Sequence, residues 1–344
     1  MRLTLRRPDD WHLHLRDGEL LRAVLPYTAA RFARAIVMPN LSPPVTTTAA
    51  ALAYRDRILA ALPAGSDFQP LMTLYLTDNT PPEEIRRARD SGAIAGVKLY
   101  PAGATTNSDS GVTDIWRCEA ALAAMEEAGM VLQVHGEVTH AEVDVFHRER
   151  VFIENILAPV VERFPRLKVI LEHVTTADGV DFVRGARDGV AATITPQHMM
   201  LNRNALFAGG LRPHHYCLPV LKAERHRQAV LDAAVSGSAR FFLGTDSAPH
   251  TRGSKESSCG CAGIYSAPVG IEIYAELFEQ AGALDRLEAF ASEFGPRFYG
   301  LPLNEDRIVL ERRPWQPPAE YRVGADTLVP FRAGETVSWS LVSA

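Results

Sequence analysis

Val131-Leu132-Gln133-Val134-His135 sets the pattern for the chain: a short apolar run closed by a residue with chemistry to offer, then a loop and an amphipathic helix. Short continuous apolar runs of this kind suit parallel strands buried on both faces. The form recurs on either side. Upstream lie Trp11–Leu15, Ala35–Met38, Leu71–Leu76 and Gly96–Tyr100; downstream lie Val169–His173, Ala191–Ile194 and Phe241–Gly244. Helical patterns fill the intervals at Leu20–Ala30, Ala49–Leu62, Pro82–Ser91, Asp114–Ala128, Ala141–Arg163, Ala177–Gly185 and Ala223–Val235. Eight strands, each followed by a helix or a long loop, predict a (β/α)8 barrel. A doubly wound open sheet shares the alternation but usually has fewer strands. The barrel is favoured because the chemically capable residues fall at the C-terminal ends of the strands, where barrels place their active sites.

The rest of the composition narrows the class. The 344 residues are 47% hydrophobic and 22% charged, ordinary values for a globular protein. Acids outnumber bases, 41 to 36, which speaks against a nucleic-acid partner. The charged start Met1–Pro8 is not followed by an apolar stretch, so it does not read as a secretory signal. No apolar run approaches the roughly 18 residues of a membrane span. Four cysteines in a chain of this size make no disulfide framework, and the expected compartment is the cytoplasm. From Leu301 the rhythm breaks, with Arg313-Pro314-Trp315-Gln316-Pro317-Pro318 inside the tail. Residues 1–344 are therefore read as one barrel domain, with 301–344 packing on it as an extension.

The candidate chemistry begins at His12-Leu13-His14. Side chains two apart on a strand share a face, so both imidazoles can reach one cavity, and imidazole is a good zinc ligand. Alone, the pair is better explained as buried histidines bonded to backbone, since a zinc site needs three or four ligands. His135 ends the fifth predicted strand, His173 ends the sixth and Asp246 follows the eighth. Each has its own bland explanation, a loop contact or a helix cap. Four histidines and an aspartate gathered at one face of one barrel point to a metal site.

Longer strings carry a family likeness. Asp10-Trp11-His12-Leu13-His14-Leu15-Arg16-Asp17, Met38-Pro39-Asn40, Val97-Lys98-Leu99-Tyr100-Pro101, Val134-His135-Gly136-Glu137 and Gly244-Thr245-Asp246-Ser247-Ala248-Pro249-His250 resemble those of the dihydroorotases, in the amidohydrolase superfamily. The likeness runs from about residue 4 to residue 300 and is closest to the shorter bacterial type that stands alone as a homodimer. It implies two zinc ions per subunit: one on His12, His14 and Asp246, the other on His135 and His173, bridged by N-carboxylated Lys98 and a hydroxide. A plain ammonium has no lone pair for a metal, whereas a carbamate offers two anionic oxygens. The reaction implied is the reversible cyclisation of N-carbamoyl-L-aspartate to dihydroorotate, in pyrimidine synthesis, with Asp246 as general base and then acid. Arg16, Asn40 and His250 are implied to grip the substrate carboxylate, and main-chain groups at Leu218 and Ala262 to hold the ring. The Gly-rich loop Ala102–Gly111 is implied to fold over the substrate as a lid, with Thr105 and Thr106 reaching it.

Other features read as structural. Cys259-Gly260-Cys261 lacks the second half of a zinc knuckle. His214 and His215 are expected to shape the wall around Leu218, and His140, His147 and His226 to lie on helix surfaces; His198 has no assignment. Two rival functions remain. A hydantoinase, dihydropyrimidinase or allantoinase would share the metal cage but has no substrate carboxylate to grip at that position. A non-catalytic assembly partner would lack ligands, and the sequence retains all of them.

Overall fold

The eight apolar segments pair strictly in chain order. In the computed structural model, which describes residues 1–343, strand β1 (Arg2–Arg6) stands apart. Strands β2 (Asp9–Leu13), β3 (Arg34–Val37), β4 (Gln69–Tyr75), β5 (Ile94–Leu99), β6 (Val131–Val134), β7 (Lys168–Leu171), β8 (Val190–Ile194) and β9 (Phe241–Leu243) then form one parallel sheet. The circle closes between its ends: His14 N donates to Ser247 O at 2.9 Å and Asp246 N to His12 O at 2.8 Å. This is the (β/α)8 barrel the sequence predicts.

Two apolar regions hold it. Outward-facing strand residues such as Leu13, Val37, Leu74 and Val97 pack under the helices, against Leu25, Tyr54, Ile85 and Leu122. The lower interior holds Trp11, Ile36, Ile170, Ala191 and Phe242, and the helix Phe294–Tyr299 seals it from below. Tyr299 stacks on Trp11 at 4.6 Å. Gly295 permits that approach, since a Cβ there would lie 1.9 Å from Trp11 Nε1. The register of β2 against β3 slips between Asp10 and Leu13. A slip of this kind lets the neighbours Trp11 and His12 both serve the interior.

Seven of the eight predicted strands run one or two residues too far at their C-terminal ends, and Ala191–Ile194 ends where predicted. His14, His135 and His173 all lie just past the last paired residue. The predicted helix Ala141–Arg163 begins only at Arg148, because Asp144 Oδ1 accepts from Phe146 N and closes a turn first. From there it continues through a π turn at Ile153–Leu157 to Arg163. His140 is therefore in an exposed loop rather than a helix. His226 is helical but buried, with Nδ1 accepting from Ala177 N at 3.0 Å. The helix after β9, Gly270–Gln280, has no counterpart in the sequence reading, since a long loop separates it from its strand.

Strands β10 (Arg307–Glu311) and β13 (Ser340–Ser343) join β1 in an antiparallel sheet of order β1-β10-β13, while β11 (Tyr321–Val323) and β12 (Asp326–Leu328) form a hairpin. Ser338 N and Trp339 Nε1 donate to Glu276 and Glu279 on the helix Gly270–Gln280. Among the described residues, no helix is long and apolar enough to cross a membrane.

Candidate metal centre and substrate pocket

The upper mouth of the barrel gathers polar side chains from most of its strands. His12 and His14 leave the end of β2 and bring Nε2 to 3.4 and 3.2 Å from Asp246 Oδ1. The donor atoms of these three buried residues lie within 4.8 Å of one another. His173 packs against His12 with ring centroids 5.0 Å apart, and His135 against His173 at 4.9 Å. Lys98, the last residue but one of β5, is wholly buried, and its Nζ meets no protein partner.

A second layer fixes the rings. His12 Nδ1 bonds Glu172 at 2.8 Å, His14 Nδ1 bonds Asn40 Oδ1 at 2.8 Å, and His135 Nε2 bonds Glu137 at 2.8 Å. Each of these rings thus has one nitrogen tied back and the other turned toward the centre, where those of His12 and His14 meet Asp246, while His173 Nδ1 has no partner at all. Carboxylate or amide partners of this kind orient metal-ligating histidines and set their tautomers. Glu137 and Glu172 were not singled out in the sequence. The signal available was a carboxylate one or two residues from a strand-end histidine.

The electrostatics suit cations. Burial, reinforced by the charge of Arg16, brings His14 down to about 3, and burial holds His173 well below the usual range, so both keep free lone pairs. Burial raises the Asp246 carboxyl, but hydrogen bonds from His12 and His14 outweigh it and leave the group well below the ordinary carboxylate range. Burial pulls the Lys98 ammonium down to about 8 against the attraction of Glu172 and Asp246. Free imidazole nitrogens, an ionised aspartate and an unpartnered buried amine form a donor set that fits metal ions.

Beside this cage lies the pocket, lined by Arg16, Asn40, Tyr100, Thr105, Thr106, Leu218 and Ala262 together with His12, His14, His135, His173 and Asp246. Arg16 reaches it by a route the strand period does not supply: β2 has ended, and Arg16 turns inward through φ +59°. Its Nη2 lies 3.0 Å from His250 Nε2, which is also 3.0 Å from Ala262 O. Burial, with Arg16 and Lys255 nearby, holds His250 down at about 2, so the imidazole is neutral. Asn40 Nδ2 donates to Thr106 O at 3.0 Å, and Asn107 Nδ2 returns a bond to Asn40 O at 3.0 Å. These bonds hold the loop over the pocket, leaving about 20 Å3 free, the room of a single water.

Other expectations fare differently. His214 and His215 line a separate surface groove with Phe331 and Arg332, not the wall around Leu218. His214 there pairs with Glu256 at 2.9 Å. The reason is the turn at Pro213–His215, which faces the C-terminal tail. His198 is a satisfied core residue bonded to Thr195 Oγ1 at 2.7 Å and Pro219 O at 2.9 Å. Cys259 and Cys261 are free thiols 3.8 Å apart. A groove of about 660 Å3 opens at the lower end around Arg7 and Asp67, and no histidine lines it.

A closed parallel barrel with histidines and an aspartate at its upper mouth has the form of a metal-dependent hydrolase, and the comparisons agree. The amidohydrolase family profile matches residues 10–304. A dihydroorotase of Nitrosomonas europaea is 65% identical over 342 residues, 99% of this chain and 98% of that one. One of Aromatoleum aromaticum is 64% identical over 341 residues, 99% of both chains. The crystal structure of the Saccharomyces cerevisiae dihydroorotase with 5-fluoroorotic acid superposes with a TM-score of 0.91 at 34% identity, over 99% of this chain and 98% of that one. The chain belongs to the amidohydrolase family and, within it, to the dihydroorotases, hydrolases of cyclic amides.

Proposed function

We propose that the chain interconverts (S)-dihydroorotate plus water with N-carbamoyl-L-aspartate, the ring-closing direction serving pyrimidine synthesis. The observation that carries this reading is Arg16, half-buried beside the histidine cage and touching His250. A guanidinium set there matches a substrate carboxylate, which hydantoin and dihydrouracil lack.

His12, His14 and Asp246 would hold one zinc and His135 and His173 a second, with Lys98 bridging them as the N-carboxylated form. Zinc ions so held polarise the ring amide carbonyl and make a water nucleophilic near neutral pH. Asp246 accepts the proton of the attacking water and passes it to the departing ring nitrogen, as base and then acid. The hydrogen bonds from His12 and His14 keep it ionised. Arg16, Asn40 and His250 bind the carboxylate, and the main chain at Leu218 and Ala262 orients the ring. Thr105 and Thr106 exclude water when the loop closes. The closed loop must open for dihydroorotate to enter, because the ring is far larger than the free volume beneath it. The family likeness also supports a homodimer in the cytoplasm, which light scattering of the purified protein tests.

The deciding experiment is hydrolysis of L-dihydroorotate beside hydantoin and dihydrouracil by zinc-loaded protein, followed by loss of ring-amide absorbance. Dihydroorotate alone should turn over, and Arg16→Ala should lower kcat/KM at least about a hundredfold. Turnover of the uncharged rings instead would remove the substrate assignment and leave a metal hydrolase of another cyclic amide. Chelation should abolish activity, with two equivalents of zinc restoring it; restoration by one would remove the dinuclear assignment.

A further inference from the structure

Three buried tyrosines crowd the mouth of the pocket, and two of them are committed. Tyr54 donates its hydroxyl to Arg16 O at 2.5 Å, and Tyr75 donates to Asn107 O at 3.3 Å. The third is Tyr100, the residue after β5 and two past Lys98. It is 1% exposed and lines the same cavity as Arg16 and the histidine cage, yet its hydroxyl meets no protein partner. A buried hydroxyl left without a partner is destabilising, and phenylalanine would fill the same space without that cost. The ring itself is well packed, 5.2 Å from Tyr75 and 6.2 Å from His135 between centroids. Its backbone is pinned by the bond from Val112 N to Tyr100 O at 2.8 Å. The side chain is therefore held in place by contacts that do not involve its oxygen.

The surroundings say what the oxygen faces. Tyr100 lines one pocket with Arg16, Asn40, Thr105 and Thr106, and among the residues lining it Arg16 is the cation. The hydroxyl thus stands without a protein partner in a pocket that also holds a guanidinium. Lys98 Nζ instead lies over the ring, 5.0 Å from its centroid. A phenol is protonated at neutral pH and donates to anions. We propose that the Tyr100 hydroxyl is a further substrate contact, donating a hydrogen bond to the carboxylate gripped by Arg16; the proposal rests on the dihydroorotate reading above. Tyr100 would add a neutral donor to a site whose other carboxylate partners include a cation, and so sharpen selection for an anionic ring over an uncharged one.

Tyr100→Phe tests this cleanly, since the variant removes only an oxygen that bonds nothing in the free protein. The zinc-loaded variant and the unmodified enzyme are compared for kcat and KM on dihydroorotate, for the Kd of orotate by calorimetry, for metal content, and for melting temperature. The expected result is a KM and an orotate Kd raised about 10- to 100-fold, the range of one hydrogen bond to a charged group. Values of kcat should stay within about threefold, with metal content unchanged and melting temperature equal or higher. Unchanged KM and Kd would overturn the proposal. So would a fall in kcat or metal content at constant KM, which would put the hydroxyl at the metal centre instead. Failure of the unmodified enzyme to hydrolyse dihydroorotate would overturn the underlying reading first, whatever the variant does.

Discussion

One ring of strands has two unlike ends. At the lower end Trp11, Ile36, Ile170 and Phe242 meet the plug Phe294–Tyr299, and the packing is tight enough to require a glycine at 295. At the upper end the strands stop and the backbone turns through unusual conformations: Arg16 at φ +59°, His173 at +41° and Asp246 at +44°. Such conformations persist only where the surrounding structure over-determines them. The upper end also carries polar atoms without protein partners, among them Lys98 Nζ, Tyr100 Oη and His173 Nδ1. The lower packing fixes the strands rigidly enough that the upper end can hold these costly groups in place. Stability and chemistry are thus separated along the barrel axis, as barrel architecture allows.

Two substitutions test that separation most sharply. Asp246→Asn should lower turnover of dihydroorotate about a thousandfold, by removing the proton acceptor, while the melting temperature moves little. Gly295→Ala should do the reverse. Its Cβ would collide with the Trp11 indole, which is fully buried and stacked on Tyr299. A loss of about 3 kcal/mol in urea denaturation is expected, with kcat/KM of the folded fraction within twofold. A large activity loss in Gly295→Ala without loss of stability would show that the two ends are coupled rather than separate.

The sequence disclosed the two ends unequally. The strands were legible because buried parallel strands are continuous apolar runs, and eight of them leave few alternatives. Their C-terminal limits were not, because His14, His135 and His173 extend the apparent runs beyond the last paired residue. Of the candidate metal and carboxylate-binding residues named from the sequence, His12, His14, Arg16, Asn40, His135, His173 and Asp246 line one pocket, while His250 touches Arg16 and Lys98 lies over the Tyr100 ring. The path of Arg16 was not legible, because it enters the pocket through a left-handed turn after β2 has ended, where strand periodicity no longer applies. The lower plug was not seen at all, since Phe294–Tyr299 is distant in sequence from Trp11 and only the folded chain brings them together. Long-range pairings of that kind leave no local periodicity to read.

The loops over the upper end depend on Lys255, which nothing in the sequence singled out. Its Nζ donates to Tyr216 O at 2.7 Å, Cys261 O at 2.8 Å and Gly263 O at 2.9 Å, using all three of its donors. These carbonyls flank Leu218 and Ala262. Lys255→Met should raise KM for dihydroorotate about tenfold, since three carbonyls lose a charged donor while the metal cage is untouched. Burial brings the Lys255 ammonium down to about 8. The clamp is therefore complete below that pH and loosens as pH rises through it, so KM should climb on the alkaline side. Lys255→Arg, charged throughout, should remove that climb; its persistence would place the titration elsewhere.

The smallest effect expected is at the closed loop, and it asks how far the upper end is held together before substrate arrives. Asn107 has φ +55°, donates its amide to Asn40 O and accepts from Tyr75 at its own carbonyl. Asn40 in turn binds the His14 ring and Thr106. A chain of bonds therefore runs from the loop to a metal-cage histidine. Asn107→Ala removes one link and introduces a side chain less tolerant of the left-handed backbone. Opening should become easier, with kcat/KM falling about threefold to fivefold and protease cleavage within 102–111 becoming faster. Zinc content should be unaffected, because His14 keeps Asn40. A loss of zinc in Asn107→Ala would mean that loop and cage form one cooperative unit, and the division of the barrel would then lie between its two ends alone.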